Sequence, residues 1–74
     1  MDEVSSKSIF GRNLKRLRQK KYMSQAEMAR QMGTRRAQIW RLENEESNPT
    51  LSTLTKICEI LDVSFHELLD LPSS

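Results

Sequence analysis

The chain has few of the residues from which disulfides, metal sites and membrane spans are built. Cys58 is the only cysteine and His66 the only histidine among its 74 residues, which excludes an intrachain disulfide and a metal site made of several Cys or His ligands. No apolar run approaches the ~20 residues of a membrane span. The first residues lack the basic and apolar regions of a secretion signal, so we expect no membrane association and a reducing, cytoplasmic location.

Size and composition weigh against an enzyme. The chain is 36% hydrophobic and 30% charged, which indicates one compact domain rather than a disordered segment. A domain of this length buries only about 60% of the surface of its unfolded chain, too little for a deep two-substrate active site. The sequence contains no catalytic constellation of side chains, so we expect no enzymatic activity, no metal, no cofactor and no small-molecule ligand.

Charge is distributed unevenly along the chain, although the net charge is only +2. Residues 9–42 contain ten basic residues and one acidic residue, a net charge of +9. Residues 43–74 contain seven acidic residues and one basic residue, Lys56, a net charge of −6. Such asymmetry indicates a polyanionic partner for the basic half.

The apolar spacing predicts an all-α fold of five short helices, since no segment alternates with the period of a β-strand. Phe10, Leu14 and Leu17 recur at i, i+4 and i+7 and predict a first helix that begins at Ser8. The predicted organisation is a polar tail at 1–7, a helical domain at 8–71 and a C-terminal tail at 72–74.

Three further helices are predicted from capping and breaking residues. The segment Ser24-Gln25-Ala26-Glu27 is a capping box that opens the second helix, and Gly33 ends it with a positive φ. A third helix is predicted over 34–44, with Ile39 and Leu42 facing inward. Thr50 is expected to cap the fourth helix. Its predicted inner face consists of Leu51, Leu54, Ile57, Cys58 and Leu61.

The fifth helix is predicted to open at a second capping box, Ser64-Phe65-His66-Glu67, and to end near Leu69. Between the second and third helices, Gln25, Ala29, Gly33 and Ile39 have the spacing of a helix-turn-helix. Ala29 is small where two helices must approach closely, and Ile39 holds the third helix against the second.

The sequence resembles the Cro and lambda-repressor-like (XRE-type) helix-turn-helix DNA-binding family over roughly Ile9 to Leu69. The matching residues are Phe10-Gly11, Leu14, Leu17-Arg18, Met23-Ser24-Gln25-Ala26-Glu27-Met28-Ala29, Gly33, Ile39, Leu42-Glu43-Asn44, Asn48-Pro49-Thr50-Leu51, Leu54, Ile57, Leu61 and Val63-Ser64. The resemblance implies five helices, binding to duplex operator DNA and a two-fold homodimer that regulates transcription.

The resemblance also implies residue roles. Base contacts would come from Arg35, Arg36, Ala37 and Arg41 on the third helix, and phosphate contacts from Ser24, Gln25 and Asn44. Arg18 and Glu43 match an ion pair that ties the first helix to the end of the third.

Four positions depart from the family pattern. Glu45 stands where members have Gly, and Glu45 and Glu46 place negative charge near an expected phosphate contact. Tyr22 replaces Gly or Asn at a helix end, at a cost in backbone strain. Arg35 replaces the Ser or Thr that caps the third helix.

Arg35 and Arg36 carry an argument that is independent of the resemblance. Cations at a helix N-terminus oppose the helix dipole, at about 0.3–1 kcal/mol each. A phosphate or a guanine edge beside that terminus reverses the sign, so the pair favours an anionic partner. For Arg35 itself, phosphate, base and solvent all remain open.

Several apolar residues have two interpretations. Trp40 lies off the inward stripe and either packs at the edge of the core, contacts DNA or contacts a partner protein. Ile60, Phe65, Leu69 and Leu71 either complete the small core or form a dimer interface.

The sequence therefore predicts a sequence-specific duplex-DNA-binding transcriptional regulator acting as a homodimer. It does not choose among a prophage-type repressor, a restriction–modification controller and an antitoxin. The alternative is a protein-interaction module of the same fold, which would bind through Trp40 and the acidic half.

Overall fold

The structure is a computed structural model that describes residues 6–45 and 48–69. It contains five helices, α1 (Ser6–Lys20), α2 (Gln25–Met32), α3 (Arg36–Asn44), α4 (Leu51–Leu61) and α5 (Phe65–Leu69). The described residues include no strand, and the predicted all-α class is confirmed. None of these helices combines the length and the apolar character needed to cross a membrane.

Two helices begin at other residues than the sequence predicts. α1 begins at Ser6, two residues before Ser8. α3 begins at Arg36, because the amides of Gly33 and Thr34 donate to carbonyls of α2 and close that helix. Arg35 follows with extended backbone at φ −108° and ψ 154°.

Hydroxyl side chains cap three of the helices as predicted. Ser24 Oγ accepts from the amide of Glu27 at 3.0 Å, and Thr50 Oγ1 accepts from the amide of Thr53 at 3.1 Å. Ser64 and Glu67 form a reciprocal capping box, with both hydrogen bonds at 3.1 Å. These caps satisfy amides that have no partner inside their own helices.

The core draws on all five helices. Its buried apolar residues are Phe10, Leu14, Leu17, Met28, Ala29, Ile39, Leu42, Ile57, Leu61 and Leu68. α3 lies against both α1 and α2, α4 packs on α2 and α5, and α5 packs on α1. The inward placement of Ile39 and Leu42 therefore fixes which side of α3 faces solvent.

Leu51 is the one predicted core residue that the structure places outside the core. Its relative exposure is 71%, whereas Ile57 and Leu61 are fully buried. A helix turns 100° per residue, so each step of three residues falls 60° short of a full turn. Two such steps separate Leu51 from Ile57, and Leu51 therefore lies about 120° away from the buried stripe.

Gly11 allows α1 to approach the end of α3 closely. A Cβ at this position would lie 2.6 Å from the backbone carbonyl oxygen of Glu43 and 3.0 Å from that of Leu42. Those atoms belong to the backbone and cannot rotate away. Gly11 therefore sets the distance between α1 and the C-terminal end of α3.

We expect Gly11→Ala to destabilise the fold, although Ala is the better helix former by about 1 kcal/mol. The clash is an overpacking defect of the kind that costs about 1–3 kcal/mol. Chemical denaturation measures the difference, and increased stability would contradict the close approach. Gly33→Ala is the comparison, because Gly33 has open space around it and would be strained only through its φ of 73°.

Candidate nucleic-acid interface

The outer side of α3 carries the predicted base-contacting residues. Arg35, Arg36, Ala37 and Arg41 are all exposed, because Ile39 and Leu42 occupy the inner side. Gly33 has φ 73° and ψ 33°, the left-handed conformation expected at the turn before α3. The helix-turn-helix geometry that the spacing predicts is thus present.

A concave surface runs along the turn and the first two turns of α3. We call it the α3 surface. It is lined by Gly33, Thr34, Arg35, Ala37, Gln38 and Arg41. It contains three of the four predicted base-contacting residues, together with Thr34 and Gln38, which were not among the predicted site residues. Thr34, Gln38 and Arg41 are spaced at i, i+4 and i+7. This spacing places them on one side of a helix and could have identified Thr34 and Gln38 as neighbours of Arg41.

The electrostatics at the start of α3 favour an anion. Arg35 is the N-cap residue and its side chain makes no capping hydrogen bond, and the first turn of α3 contains no acidic residue. The free amides of this turn and the positive end of the helix dipole add to the charges of Arg35 and Arg36. A phosphate or a base edge at this position would interact favourably with these amides and guanidinium groups.

Arg18 and Glu43 form a buried ion pair that fixes α3 from behind. Arg18 Nε donates to Glu43 Oε2 at 2.6 Å, and Arg18 Nη2 donates to Glu43 Oε1 at 3.1 Å. The side chains are 8% and 0% exposed. Arg18 Nη1 also donates to the carbonyl of Met23 at 2.7 Å, so the pair joins α1, the α1–α2 turn and α3.

Gln25 belongs to the same network through a hydrogen bond to Glu43 that was not predicted from the sequence. Its Nε2 donates to Glu43 Oε1 at 3.0 Å. The amide nitrogen has a second hydrogen, and the amide oxygen accepts no hydrogen bond within the described residues. Gln25 therefore retains a donor for an external acceptor while Glu43 holds its orientation.

The other predicted phosphate contacts lie on exposed helix ends. Ser24 uses its oxygen to cap α2, and its hydroxyl hydrogen has no acceptor among the described residues. Asn44 Nδ2 donates to the carbonyl of Trp40 at 2.9 Å, so its amide is turned back onto α3. Trp40 itself is 46% exposed.

Comparison with known proteins identifies the family. The sequence profile of the family HTH_3, described as helix-turn-helix, matches residues 14–68. The chain belongs to this helix-turn-helix family. The XRE-type resemblance is thereby confirmed.

Similar proteins extend this result. The HTH-type transcriptional regulator SinR of Bacillus subtilis is 35% identical over 63 residues, 84% of this chain and 57% of SinR. The crystal structure of the hypothetical transcription factor NHTF from Neisseria superposes with a TM-score of 0.82 at 33% identity, covering 97% of this chain and 82% of NHTF. The crystal structure of the restriction-modification controller protein C.AhdI from Aeromonas hydrophila superposes with a TM-score of 0.75 at 31% identity. The match covers 82% of this chain and 92% of C.AhdI. The chain thus spans little more than half the length of SinR.

The departures from the helix-turn-helix family have different structural consequences. Glu45 has φ −116° and ψ 155°, extended backbone that any residue adopts, so it replaces Gly without strain. Tyr22 has φ 55°, the left-handed conformation that favours Gly or Asn, and its side chain is 97% exposed. Glu46 lies outside the described residues.

The predicted dimer residues differ in burial. Ile60 and Leu69 are half-buried and pack against the core, whereas Phe65 is 36% exposed. Leu71 lies outside the described residues. The structure thus gives Ile60 and Leu69 contacts within the core and leaves Phe65 the most exposed of the three.

The single cysteine and the single histidine lie on α4 and α5. Burial raises the pKa of the Cys58 thiol, and the carboxylates of Glu59 and Glu67 raise it further, so the thiol is protonated and weakly nucleophilic at neutral pH. His66 is exposed at the start of α5. Across residues 6–45 and 48–69, no group of three His, Cys, Asp or Glu side chains could hold a metal ion.

Proposed function

We propose that the chain is the sequence-specific DNA-binding domain of a transcriptional regulator that binds duplex operator DNA as a homodimer. The observation that carries the proposal is the exposed, arginine-rich outer side of α3, held in place by the buried Arg18–Glu43 pair. In this arrangement α3 enters the major groove, and the start of α2 lies against the phosphate backbone.

The proposed roles follow from the chemistry of each side chain. Arg36 and Arg41 read guanines through paired hydrogen bonds to O6 and N7, and Ala37 contacts a thymine methyl group. Arg35 contacts phosphate or a base edge from the helix N-terminus. Ser24, Gln25 and Asn44 bind phosphate oxygens and set the register of the domain on the duplex.

The relatives support the class of function. SinR carries the name of an HTH-type transcriptional regulator, and C.AhdI that of a restriction-modification controller protein. A regulator of this class acts on DNA, so the proposed location of the protein is the cytoplasm. The proposal covers repressor and controller types alike.

Selection of bound sites from a pool of random duplexes tests the proposal. We expect an enriched site with guanines in each half and two-fold symmetry. Recovery of an unenriched pool would contradict sequence-specific binding. The experiment reports the half-site sequence and the half-site spacing together.

The homodimer is tested separately. We expect sedimentation equilibrium with the selected operator to show two protein chains per duplex. The half-sites of the selected operator should then lie about 34 Å apart, one turn of B-DNA, as two-fold related recognition helices require. Phe65→Ser should weaken the assembly, because Phe65 is the most exposed of the described candidate interface residues. One chain per operator at saturating protein would contradict the dimer.

Trp40 supports a second candidate, a protein-interaction module. An indole that is 46% exposed on α3 offers a partner protein an apolar contact. A salt titration of binding to random duplex separates the two functions. Phosphate contacts release counterions, so the affinity of a DNA-binding protein falls steeply as the salt concentration rises. A flat titration would favour the interaction module.

A further inference from the structure

A second groove adjoins the α3 surface on the side of α4. We call it the α4 groove. It is lined by Met32, Thr34, Gln38, Leu42, Ser52, Thr53 and Lys56. Thr34 and Gln38 line both concavities, so the α4 groove borders the α3 surface and extends onto α4.

The chemistry of the α4 groove suits an anion. Met32 and Leu42 supply apolar surface, with Leu42 almost fully buried, while Thr34, Ser52 and Thr53 supply hydroxyl groups. Lys56 is the only charged side chain among the described lining residues. Among the described residues that line the groove, an anion would meet hydroxyl donors and an ammonium group but no carboxylate.

Lys56 is also unusual in its position along the chain. It is the only lysine or arginine after Arg41, in a half that contains seven acidic residues. Its side chain is exposed, and no carboxylate of residues 9–45 or 48–69 lies within ion-pair distance of it. The flexible stem of lysine allows the ammonium group to reach along the groove.

From these observations we infer that Lys56 is a DNA phosphate contact outside the helix-turn-helix. This inference rests on the proposed function and extends its surface from α3 to α4. The occupant of the α4 groove is a backbone phosphate of the same duplex whose bases face the α3 surface. Lys56 thus adds affinity for every sequence, whereas Arg36 and Arg41 supply the sequence preference.

The test measures binding of the full chain to fluorescein-labelled random-sequence duplex and to the selected operator over a series of salt concentrations. For Lys56→Gln we expect the slope of log K against log salt to fall by about 0.9, as for the loss of one phosphate contact. Affinity should decrease by the same factor for both duplexes. Lys56→Arg should keep the wild-type slope, because it keeps the charge.

Lys21→Gln is the matched control. Lys21 is also an exposed lysine, but it lines a groove with Asp62, Val63 and Glu67 beside the α4–α5 turn. We expect its slope to equal that of the wild type, which separates a contact from a general effect of net charge. Thermal melting of each variant verifies that the fold is intact.

The remaining outcomes separate this inference from the proposed function. If wild-type binding depends steeply on salt and Lys56→Gln has the same slope of log K against log salt, the Lys56 contact is overturned and the proposed function stands. Equal loss of slope in Lys56→Gln and Lys21→Gln would also overturn the contact. Absence of duplex binding by the wild type would overturn both.

Discussion

Glu43→Ala is expected to lower the free energy of unfolding by about 3–5 kcal/mol, because it leaves the buried Arg18 guanidinium without its counter-charge. Glu43 also accepts a hydrogen bond from Gln25, so the substitution leaves a second donor unpaired. A difference of 1 kcal/mol shifts the melting temperature of a domain this size by about 4–8 °C. The variant should therefore melt at least ~12 °C below the wild type.

Glu27→Ala is the matched control for this measurement. Glu27 pairs with Arg30 on the surface of α2, where Arg30 is 75% exposed. An exposed pair of this kind contributes only about 0–1 kcal/mol. Thermal melting by circular dichroism compares both variants, and a Glu43→Ala transition as high as that of Glu27→Ala would show that the buried pair contributes little.

The second large effect concerns DNA recognition by Arg36 and Arg41. Each substitution with Ala is expected to cost about 1–3 kcal/mol of binding free energy, or roughly a 5- to 150-fold loss of affinity. The loss should be concentrated at one base position for each arginine, because a paired contact to guanine is specific to that base. Operators with single-base changes, measured at fixed salt, show which position each arginine reads.

Gln25→Ala is the comparison for these two variants. As a proposed phosphate contact, it should weaken all operators by the same factor and leave the preference between them unchanged. If Arg36→Ala and Arg41→Ala also weakened every operator equally, both arginines would be phosphate contacts instead of base contacts. If neither changed binding, α3 would not be the reading helix and the interaction module would be favoured.

The helices could be predicted from the sequence because their signals are local. Ser24, Thr50 and Ser64 each indicate a helix start, because each hydroxyl accepts from the amide three residues later. Gly33 indicates the turn, because glycine readily adopts a positive φ. Leu51 shows the limit of this approach. It continues an i, i+3 apolar series, but that series drifts around the helix and leaves Leu51 exposed.

In the candidate site, too, the positions set by local patterns could be predicted, whereas the contacts between distant residues could not. Placing Arg35, Arg36 and Arg41 on the outer side of α3 required only the inward positions of Ile39 and Leu42. The hydrogen bond from Gln25 to Glu43 links residues 18 positions apart, and no local pattern reports it. The tight approach of Gly11 to the carbonyl of Glu43 joins residues still further apart along the chain.

The sequence by itself determined the all-α class, the helix-turn-helix and the concentration of arginines on α3, because apolar period, capping and charge are properties of neighbouring residues. Only the tertiary structure decided that Glu43 binds both Arg18 and Gln25, that Gly11 sets the spacing of α1 and α3, and that Lys56 lies in a groove bordering the α3 surface. These contacts join residues distant in sequence, and the angles and distances at which the helices pack decide which side chains meet.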